Sequence, residues 1–321
     1  MPIWGYLLII LVDFVIISLA VMFIITYKIT FEVFKDQLVR TSPNKWGREC
    51  SCVTNPEHVE MFEQGLRWGD ENKEYKTEVS ITNDNLKLCG EYFDFGFEKC
   101  VLIEQGRAES LLYDYYFAKP YKEAGCNVLV IDTRANGLSE GDFVGVGVPE
   151  SRDVTAWINY ITENYPQNKE FYIHGICIGS AAAILAAAKP DFPKCVKAII
   201  AEGTYHSFYE SFREHLVELK KPIYPVLWQI RLICKIHLGI DIKKQSPINY
   251  IDKIDVPFLL LCGKQDAYSI PEKCQSLFDK CSSSKKRLVW FEKGAHSHLR
   301  INAEEKYDNE IKKFISEITE I

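Results

Sequence analysis

The sequence lacks the basic patches that nucleic-acid-binding proteins use. Its 321 residues have a net charge of −6, and Lys and Arg form no stripe with interleaved aromatic residues. A nucleic-acid partner is therefore not expected, because phosphate backbones are bound mainly by clustered basic side chains. The sequence also lacks low-complexity segments and internal repeats, which excludes solenoid and propeller arrays.

A disulfide framework is also missing. The eleven cysteines are scattered and odd in number, and they include no Cys-x-x-Cys motif. This usage fits an intracellular location better than a secreted disulfide scaffold. Cys50 and Cys52 are separated by one residue, but two thiols do not make the four-ligand set of a zinc site, so we predict no metal there.

The N-terminal segment has almost no charge. Residues 3–27 are apolar except for Asp13, and at ~1.5 Å per residue they exceed the ~30 Å of a bilayer's hydrocarbon core. The segment lacks the basic start and the small-x-small cleavage site of a signal peptide. We therefore predict a transmembrane helix within residues 1–27 that binds the lipid bilayer, rather than a cleaved leader or a buried core helix.

The basic residues beyond that helix indicate its orientation. No Lys or Arg precedes the helix, and several follow it closely, namely Lys28, Lys35, Arg40, Lys45 and Arg48. Because basic flanks favour the cytoplasmic side of a membrane, we expect a single-pass membrane protein whose main domain is cytoplasmic.

The rest of the chain divides into a connector and one large domain. Residues 28–70 are predicted to be a connector with one helix, for which Asn55 is the N-cap. Residues 71–321 are the main domain, which starts with an antiparallel hairpin between about 74 and 98. Apolar strands then alternate with helices, at 100–104, 127–132, 171–175, 197–202, 257–263 and 287–292. This alternation predicts an α/β fold with a mostly parallel sheet and helices on both faces.

The alternation is interrupted at residues 203–250. This stretch contains aromatic and charged residues at helical spacing and no obvious strand. We predict a helical cap over the functional site rather than a plain surface insertion, since loops at the carboxyl ends of strands carry function.

A short motif lies between the strand at 171–175 and the helix that follows it. Residues 174–180 read HGICIGS and contain the pattern Gly-x-Cys-x-Gly, centred on Cys177. The glycines permit a sharp turn that exposes the central residue at the N-terminus of a helix, where the nucleophilic thiolate is favoured. The motif is also compatible with a lost serine position or with a buried thiol in a chance match.

Two downstream residues have the right order to serve this nucleophile. Asp266 follows the strand at 257–263, and His296 follows the next strand. Nucleophiles on such turns are followed along the chain by an acid and then a histidine, and carboxyl strand ends converge in an open α/β sheet. We predict a Cys177–Asp266–His296 triad, with His298 as the alternative base. Taken singly, Asp266 is also a candidate turn residue or helix cap, and His296 a candidate surface histidine.

Longer stretches of the sequence resemble a known family. The segment VIDTRANGLSEGD at 130–142 is similar to the Asp-x-Arg-Gly-His-Gly-x-Ser-x-Gly segment of serine aminopeptidase-like α/β-hydrolases, and SPINYIDKIDVPFLLLCGKQD is similar to the lead-in to their acid. The residues that match in the first segment are Asp132, Arg134, Gly137, Ser139 and Gly141. Residues 98–317 therefore resemble that group, many of whose bacterial members have an N-terminal membrane anchor. The resemblance implies an α/β-hydrolase fold with an inserted cap.

Three positions depart from the pattern of this group. Cys177 stands where the group has serine, although dienelactone hydrolases, which this chain resembles only locally, use a Cys-Asp-His triad on the same fold. Gln105 replaces the histidine of the usual His-Gly before the oxyanion hole, and Asn136 replaces the histidine of the Arg-Gly-His-Gly segment. Oxyanion donors are backbone N–H groups, and we assign them to Ile178 and to Arg107, which is otherwise a solvated loop cation.

These features predict an acyl hydrolase, namely an esterase, a thioesterase or a peptidase, with a small-molecule or short-peptide acyl substrate. His296, oriented by Asp266, would take the thiol proton, and Cys177 would attack the acyl carbonyl before water releases the acyl group. This chemistry requires no metal or organic cofactor. Two alternatives stay open: a catalytically inactive binding protein of the same fold, and a cysteine-based redox sensor. Ser180 is a weaker candidate nucleophile, since it lies about one turn into the helix.

Overall fold

Eight strands form one sheet. They are β1 (Lys76–Asn83), β2 (Leu86–Phe93), β3 (Lys99–Glu104), β4 (Cys126–Ile131), β5 (Glu170–Ile176), β6 (Val196–Glu202), β7 (Phe258–Gly263) and β8 (Lys286–Phe291). The computed structural model describes residues 2–319, so the predicted domain limits at residues 1 and 321 lie outside the described residues. The spatial order is β1-β2-β4-β3-β5-β6-β7-β8. Strand β2 is antiparallel to both of its neighbours, and all other pairs are parallel, which confirms the predicted mostly parallel sheet.

Helices cover both faces of this sheet. The α-helices among residues 2–319 are α1 (Ile3–Leu38), α2 (Pro56–Glu71), α3 (Leu111–Glu123), α4 (Glu150–Asn164), α5 (Ile178–Ala187), α6 (Phe208–Glu218), α7 (Val226–His237), α8 (Pro271–Lys280), α9 (Leu299–Asn302) and α10 (Glu304–Thr319), of which α1, α6 and α7 pack with one another away from the sheet. In β3, Leu102 packs into one core with Trp157 of α4. Val101 and Ile103 pack into the opposite core with Tyr116 of α3. Successive strand side chains point to opposite faces, so an uninterrupted apolar strand needs both layers of helices.

The loops that follow the parallel strands lie together at the carboxyl-terminal end of the sheet. Strands β4 and β7 are buried along their whole length, which holds the positions of these ends firmly. The turns that follow β5, β7 and β8 therefore lie at this same end of the sheet, and they contain Cys177, Asp266 and His296.

The predicted cap forms helices α6 and α7, which are inserted between β6 and β7. Helix α1 packs against α7 along part of its length. The buried residues of α1 are Thr30, Phe34 and Leu38, whose spacing of four places them on one face. Helix α1 thus continues beyond the predicted limit at residue 27, because its second part is held by the cap.

The first part of α1 is a candidate membrane span. Its most apolar 18 residues have a mean hydropathy of 3.1, and none of them is buried by the rest of the protein. A helix of this length and composition can cross a bilayer, and it is the one helix among residues 2–319 that can do so.

Candidate active site

Cys177 occupies a strained turn between β5 and α5. Its backbone has φ 55° and ψ −107°, a region that residues other than glycine rarely adopt. The side chain is partly exposed, and the backbone N–H of Cys177 donates to the carbonyl oxygen of Glu202 at 2.9 Å. The sulfur therefore stands at the tip of the turn, directly before the first residue of α5.

The two glycines of the motif are required by close backbone contacts. A Cβ atom on Gly179 would lie 2.0 Å from the carbonyl oxygen of Glu104, and one on Gly175 would lie 2.4 Å from the carbonyl carbon of Gly179. Real Cβ atoms essentially never approach other atoms so closely. Strand β3 and helix α5 can only pack at this distance because no side chain intervenes.

Asp266 is held rigidly in the turn after β7. Its Oδ1 accepts the backbone N–H groups of Tyr268 at 2.8 Å and Ser269 at 2.7 Å, which leaves Oδ2 free to face His296. Burial raises the pKa of Asp266, but the hydrogen bond and the charge of His296 outweigh burial and lower the pKa below its usual value. Asp266 is therefore a carboxylate at neutral pH.

His296 lies in the loop after β8 and contacts that carboxylate directly. Its Nδ1 is 2.8 Å from Oδ2 of Asp266, and its side chain is 18% exposed. Burial lowers the pKa of His296, but its interactions with Cys177 and with the Asp266 carboxylate raise that pKa well above its usual value. With Nδ1 occupied by Asp266, Nε2 is the ring nitrogen left for the interaction with Cys177.

Gly203 makes room for this histidine. A Cβ atom at Gly203 would be 3.1 Å from Cε1 of His296, and the φ of Gly203 is +55°. The loop after β6 can therefore pass close under the imidazole ring. On the other side, the ring of Tyr268 lies 5.2 Å from the ring of His296, centroid to centroid. The ring of His296 is thus held between two loops.

The alternative residues are engaged elsewhere. The Nδ1 of His298 donates to the backbone oxygen of His296 at 2.6 Å, and its ring packs on His58 with centroids 5.6 Å apart. The hydroxyl of Ser180 donates to the carbonyl oxygens of Gly175 at 2.5 Å and Glu202 at 2.8 Å. Of the two histidines, His296 is therefore the one that contacts Asp266.

The two residues predicted to supply oxyanion donors lie close to Cys177. Ile178 is the first residue of α5, and the loop of Arg107 touches the nucleophile, because a Cβ atom on Gly106 would lie 3.0 Å from Cβ of Cys177. Within residues 2–319, neither of the two N–H groups donates to a protein acceptor. The side chain of Arg107 turns away and donates to the carbonyl oxygen of Gln37 at 3.4 Å.

An apolar wall adjoins Cys177. It consists of buried residues that cluster beside the partly buried Cys177 and Phe208 of the cap, namely Ala135, Val144, Ile178, Ala181 and Tyr205. The hydroxyl of Tyr205 donates to the carbonyl oxygen of Val146 at 2.5 Å, so this polar atom is satisfied. Cys177 is therefore bordered on this side by apolar side chains.

A buried polar network beneath the His296 loop was not predicted from the sequence. The carboxyl of Glu202 accepts a hydrogen bond from the hydroxyl of Tyr307. Nε2 of His174 lies 3.2 Å from the same hydroxyl. Burial raises the pKa of Glu202 to about 7 and lowers that of His174 to about 3. The sign of this network in the sequence is Glu202, a charged residue at the end of the largely apolar strand β6.

The residues present do not suggest a metal centre. In the part of the chain that the structure describes, no group of three or more His, Cys, Asp and Glu side chains is arranged to hold a metal ion. The arrangement of Cys177, Asp266 and His296 is suited to nucleophilic attack on a carbonyl carbon, with proton transfer by the imidazole.

Two known proteins are similar in sequence to about two thirds of this chain. No family model matches the sequence. The protein YqkD of Bacillus subtilis is 24% identical over 226 residues, which are 68% of this chain and 72% of that protein. A membrane protein of Saccharomyces cerevisiae is 25% identical over 228 residues, which are 70% of this chain and 74% of that protein.

Solved structures are similar over most of the main domain. An esterase of Pyrococcus furiosus has a TM-score of 0.66 and 22% identity, over 78% of this chain and 94% of that chain. An acylaminoacyl peptidase of Pyrococcus horikoshii has a TM-score of 0.58 and 17% identity, over 76% of this chain and 41% of that chain. The protein therefore has the α/β-hydrolase fold, preceded by a long apolar helix that is a candidate membrane span.

Proposed function

We propose that the protein is a membrane-anchored acyl hydrolase in which Cys177 takes the serine position of the serine aminopeptidase-like group. One observation carries this proposal: the strained turn presents Cys177 at a helix N-terminus, where it interacts with His296, whose Nδ1 is 2.8 Å from the Asp266 carboxylate. A partly exposed thiol in this position favours an enzyme over a binding protein in which the thiol is sealed.

The proposed reaction proceeds in two halves. The Cys177 thiolate, paired with protonated His296, attacks the acyl carbonyl carbon, and the N–H groups of Ile178 and Arg107 receive the oxyanion. The carbonyl re-forms as the bond to the leaving group breaks, and the leaving group takes the proton from Nε2 of His296. Water then attacks the thioester while the same nitrogen accepts its proton. The acid product leaves, and Cys177 is restored.

The substrate class follows from the surroundings of the sulfur. The apolar wall beside Cys177 suits an acyl group without charge near the carbonyl. An esterase and a peptidase share the fold, so we propose ester, thioester or peptide bonds as the targets. The substrate is a small molecule or a short peptide, and Asp266, His296 and the two oxyanion donors serve all three bond types.

A substrate panel tests this function. We expect wild-type protein to hydrolyse p-nitrophenyl esters or acyl thioesters and Cys177→Ala to lose at least about 10³-fold of that rate. Cys195, which is also partly exposed but belongs to no part of the site, provides the control variant Cys195→Ala, which retains the rate. Hydrolysis that survives Cys177→Ala unchanged would contradict the assignment. Tight ligand binding without any hydrolysis would instead identify a binding protein.

The proposed location is a single-pass membrane protein with a cytoplasmic main domain. The basic residues that follow the apolar segment support this orientation, and the yeast relative is named a membrane protein. A reporter that is active only in the cytoplasm, fused to the C-terminus, is expected to be active. The same reporter fused to the N-terminus is expected to be inactive.

A further inference from the structure

Exposed apolar side chains are concentrated on the cap. Outside α1, ten large hydrophobic residues are exposed among residues 2–319, and five of them lie between residues 217 and 236. We call these five the cap surface: Val217, Leu219, Tyr224, Trp228 and Ile236, which are between 49% and 69% exposed. A concentration of this kind on one segment marks a surface that binds a partner.

The position of α7 beside α1 sets the level of this surface relative to a bilayer. The rings of Trp228 and Phe23 lie 6.0 Å apart, and those of His237 and Phe34 lie 5.7 Å apart. The two helices therefore run side by side in the same direction. Phe23 lies four residues before Tyr27, the end of the apolar segment, which is a rise of about 6 Å. Measured along the axis of α1, Trp228 is therefore about 6 Å deeper in the apolar segment than the end of that segment.

The contact between the two helices is built for an apolar environment. The side chain of Gln229 is fully buried, and its amide donates to the carbonyl oxygen of Phe23 at 3.1 Å and to the hydroxyl of Thr26 at 3.0 Å. Its amide oxygen accepts the hydroxyl of Thr30 at 3.1 Å. Polar groups near hydrocarbon must form their hydrogen bonds within the protein. The bonds of Gln229 also fix the position of α7 along the axis of α1.

Exposed lysines accompany the apolar residues of the cap surface. Lys220, Lys221 and Lys235 are exposed, whereas the nearby Arg231 is paired with Asp241 at 2.7 Å. Glu218 is the one acidic residue between positions 217 and 236. Tyr and Trp beside Lys are typical of segments that lie at a membrane interface, and the free positive charge favours anionic lipid headgroups.

The candidate active site lies on the same side of the molecule. The end of α1 is tied to the loops at the carboxyl strand ends, because Val39 pairs with Phe143 and the guanidinium of Arg40 donates to the carbonyl oxygens of Gly137 and Ser139. Arg107 in the oxyanion loop contacts the same end of α1. A bilayer that α1 crosses therefore faces the carboxyl-terminal end of the sheet, where Cys177 lies.

We propose that the cap surface lies in the interface of the bilayer that α1 crosses, in a leaflet that contains anionic lipids. The occupant of this surface is lipid, because the surface adjoins a membrane span and reaches the apolar level of that span at Trp228. If the hydrolase function proposed above holds, this docking presents the site to acyl groups of membrane amphiphiles rather than to fully soluble esters.

Photocrosslinking of the full-length protein in vesicles of phosphatidylcholine and phosphatidylserine tests the docking. A photoreactive benzoyl-phenylalanine replaces Trp228 or Ile236, which are 49% and 63% exposed. Ile17 in the span is the positive control. Tyr75, which is 40% exposed and directly precedes the edge strand β1, is the matched negative control.

We expect lipid adducts at positions 228 and 236, at yields several-fold above position 75 and comparable with position 17. Adducts at position 17 without adducts at positions 228 and 236 would overturn the docking, and so would crosslinks from these positions to a second copy of the chain. Position 75 labelled as strongly as position 228 would do the same.

An activity measurement separates the two proposals. Leu219→Asp combined with Trp228→Ser is expected to lower hydrolysis of a long-chain ester embedded in vesicles at least about 10-fold, while hydrolysis of p-nitrophenyl acetate in solution is retained. Equal rates of variant and wild type on the embedded ester would contradict the link between docking and substrate. Wild-type protein that hydrolyses neither ester would refute the hydrolase function, and the crosslinking result would still decide the docking.

Discussion

Backbone strain is concentrated around Cys177. Several residues other than glycine adopt positive φ in the loops at the carboxyl ends of the strands, namely Ala108, Ala135, Val146, Cys177 and Ser297. Each such residue costs on the order of 1 kcal/mol or more and persists only where the surroundings determine the backbone. The turn of Cys177, the loop of Arg107 and the loop of His296 are therefore all held in conformations that the chain would not adopt freely.

The Asp266–His296 contact leads to a prediction at the residue scale. Asp266→Asn removes the charge and the charged hydrogen bond that raise the pKa of His296, so that pKa falls. Because the amide also favours the wrong imidazole tautomer, the rate of hydrolysis is expected to fall by about 10³- to 10⁴-fold. A pH–rate profile measures the loss, and NMR titration of the His296 ring measures the change in pKa.

The exposed Asp279 on α8 provides the matched control for this change. Asp279→Asn should leave the rate and the titration of His296 at their wild-type values. A wild-type rate in Asp266→Asn would mean that the carboxylate has no part in the reaction.

The close packing at Gly179 leads to a second prediction. In Gly179→Ala the new methyl group would lie 2.0 Å from the carbonyl oxygen of Glu104, so β3 and α5 must separate. We expect a loss of about 2 kcal/mol or more in the free energy of unfolding, measured by urea denaturation. Gly47→Ala is the control, because its Cβ would be at an ordinary distance of 3.4 Å from the nearest atom. Equal stability of the two variants would show that the turn is not tightly packed.

At the scale of elements, the cap and the N-terminal helix form one unit. Helix α1 and helix α7 share a hydrophobic cluster that contains Phe34, Leu38, Ile230 and Ile233. Burial of these side chains on both helices explains why α1 continues as a helix past the end of its apolar segment. The cap is thereby attached to the span as well as to β6 and β7.

Gln229 makes this attachment testable. Gln229→Met keeps the volume of the side chain but removes its hydrogen bonds to Phe23, Thr26 and Thr30. A net loss of about 1 kcal/mol is expected for such bonds, which corresponds to roughly fivefold faster amide hydrogen exchange in α7. Gln275→Met on the exposed face of α8 serves as the control and should leave α7 unchanged. Unaltered exchange of α7 in Gln229→Met would mean that the bonds do not hold the cap.

At the scale of the whole molecule, several buried acids accumulate at one edge of the sheet. Burial raises the pKa of Glu150 and Glu202 to about 7 each, and it raises that of Glu104 well above its usual value. A raised folded-state pKa favours the protonated form, so the resulting stability is complete below the unfolded pKa of about 4.5 and is lost as pH rises through the folded value. His174, whose pKa is lowered to about 3, acts in the opposite direction at acidic pH.

We therefore expect the protein to unfold at a lower temperature at pH 8 than at pH 6. Glu202→Gln, which keeps a hydrogen-bonding partner for Tyr307 but cannot ionise, should reduce this difference by about 1 kcal/mol. Thermal unfolding of both proteins across this pH range is the measurement. Glu63→Gln, at an exposed position on α2, should behave as the wild type. A pH dependence unaffected by Glu202→Gln would mean that Glu202 does not ionise on unfolding.

Local patterns were sufficient for much of this protein. Apolar strands, turn residues and helix caps depend on neighbours in the chain, so the eight strands, the N-cap Asn55 and the position of the cap could be predicted from the sequence. The strand-turn-helix setting of Cys177 is also local, since it needs only two glycines between a strand and a helix. The roles assigned to Cys177, Asp266 and His296 stay predictions until the substrate panel is measured.

Other features were decided only by the tertiary structure. Which of the two neighbouring histidines faces Asp266, where the hydroxyl of Ser180 donates, and how Glu202 is held by Tyr307 all depend on groups far apart in the chain. The contact of Gln229 with α1 joins residues about 200 positions apart. The periodicity of apolar residues shows which face of a helix or strand is buried, but not which distant helix or strand covers that face. Many partners can bury an apolar face, because burial has no preferred direction. Hydrogen bonds require particular distances and angles, so only the tertiary structure decides which groups form them.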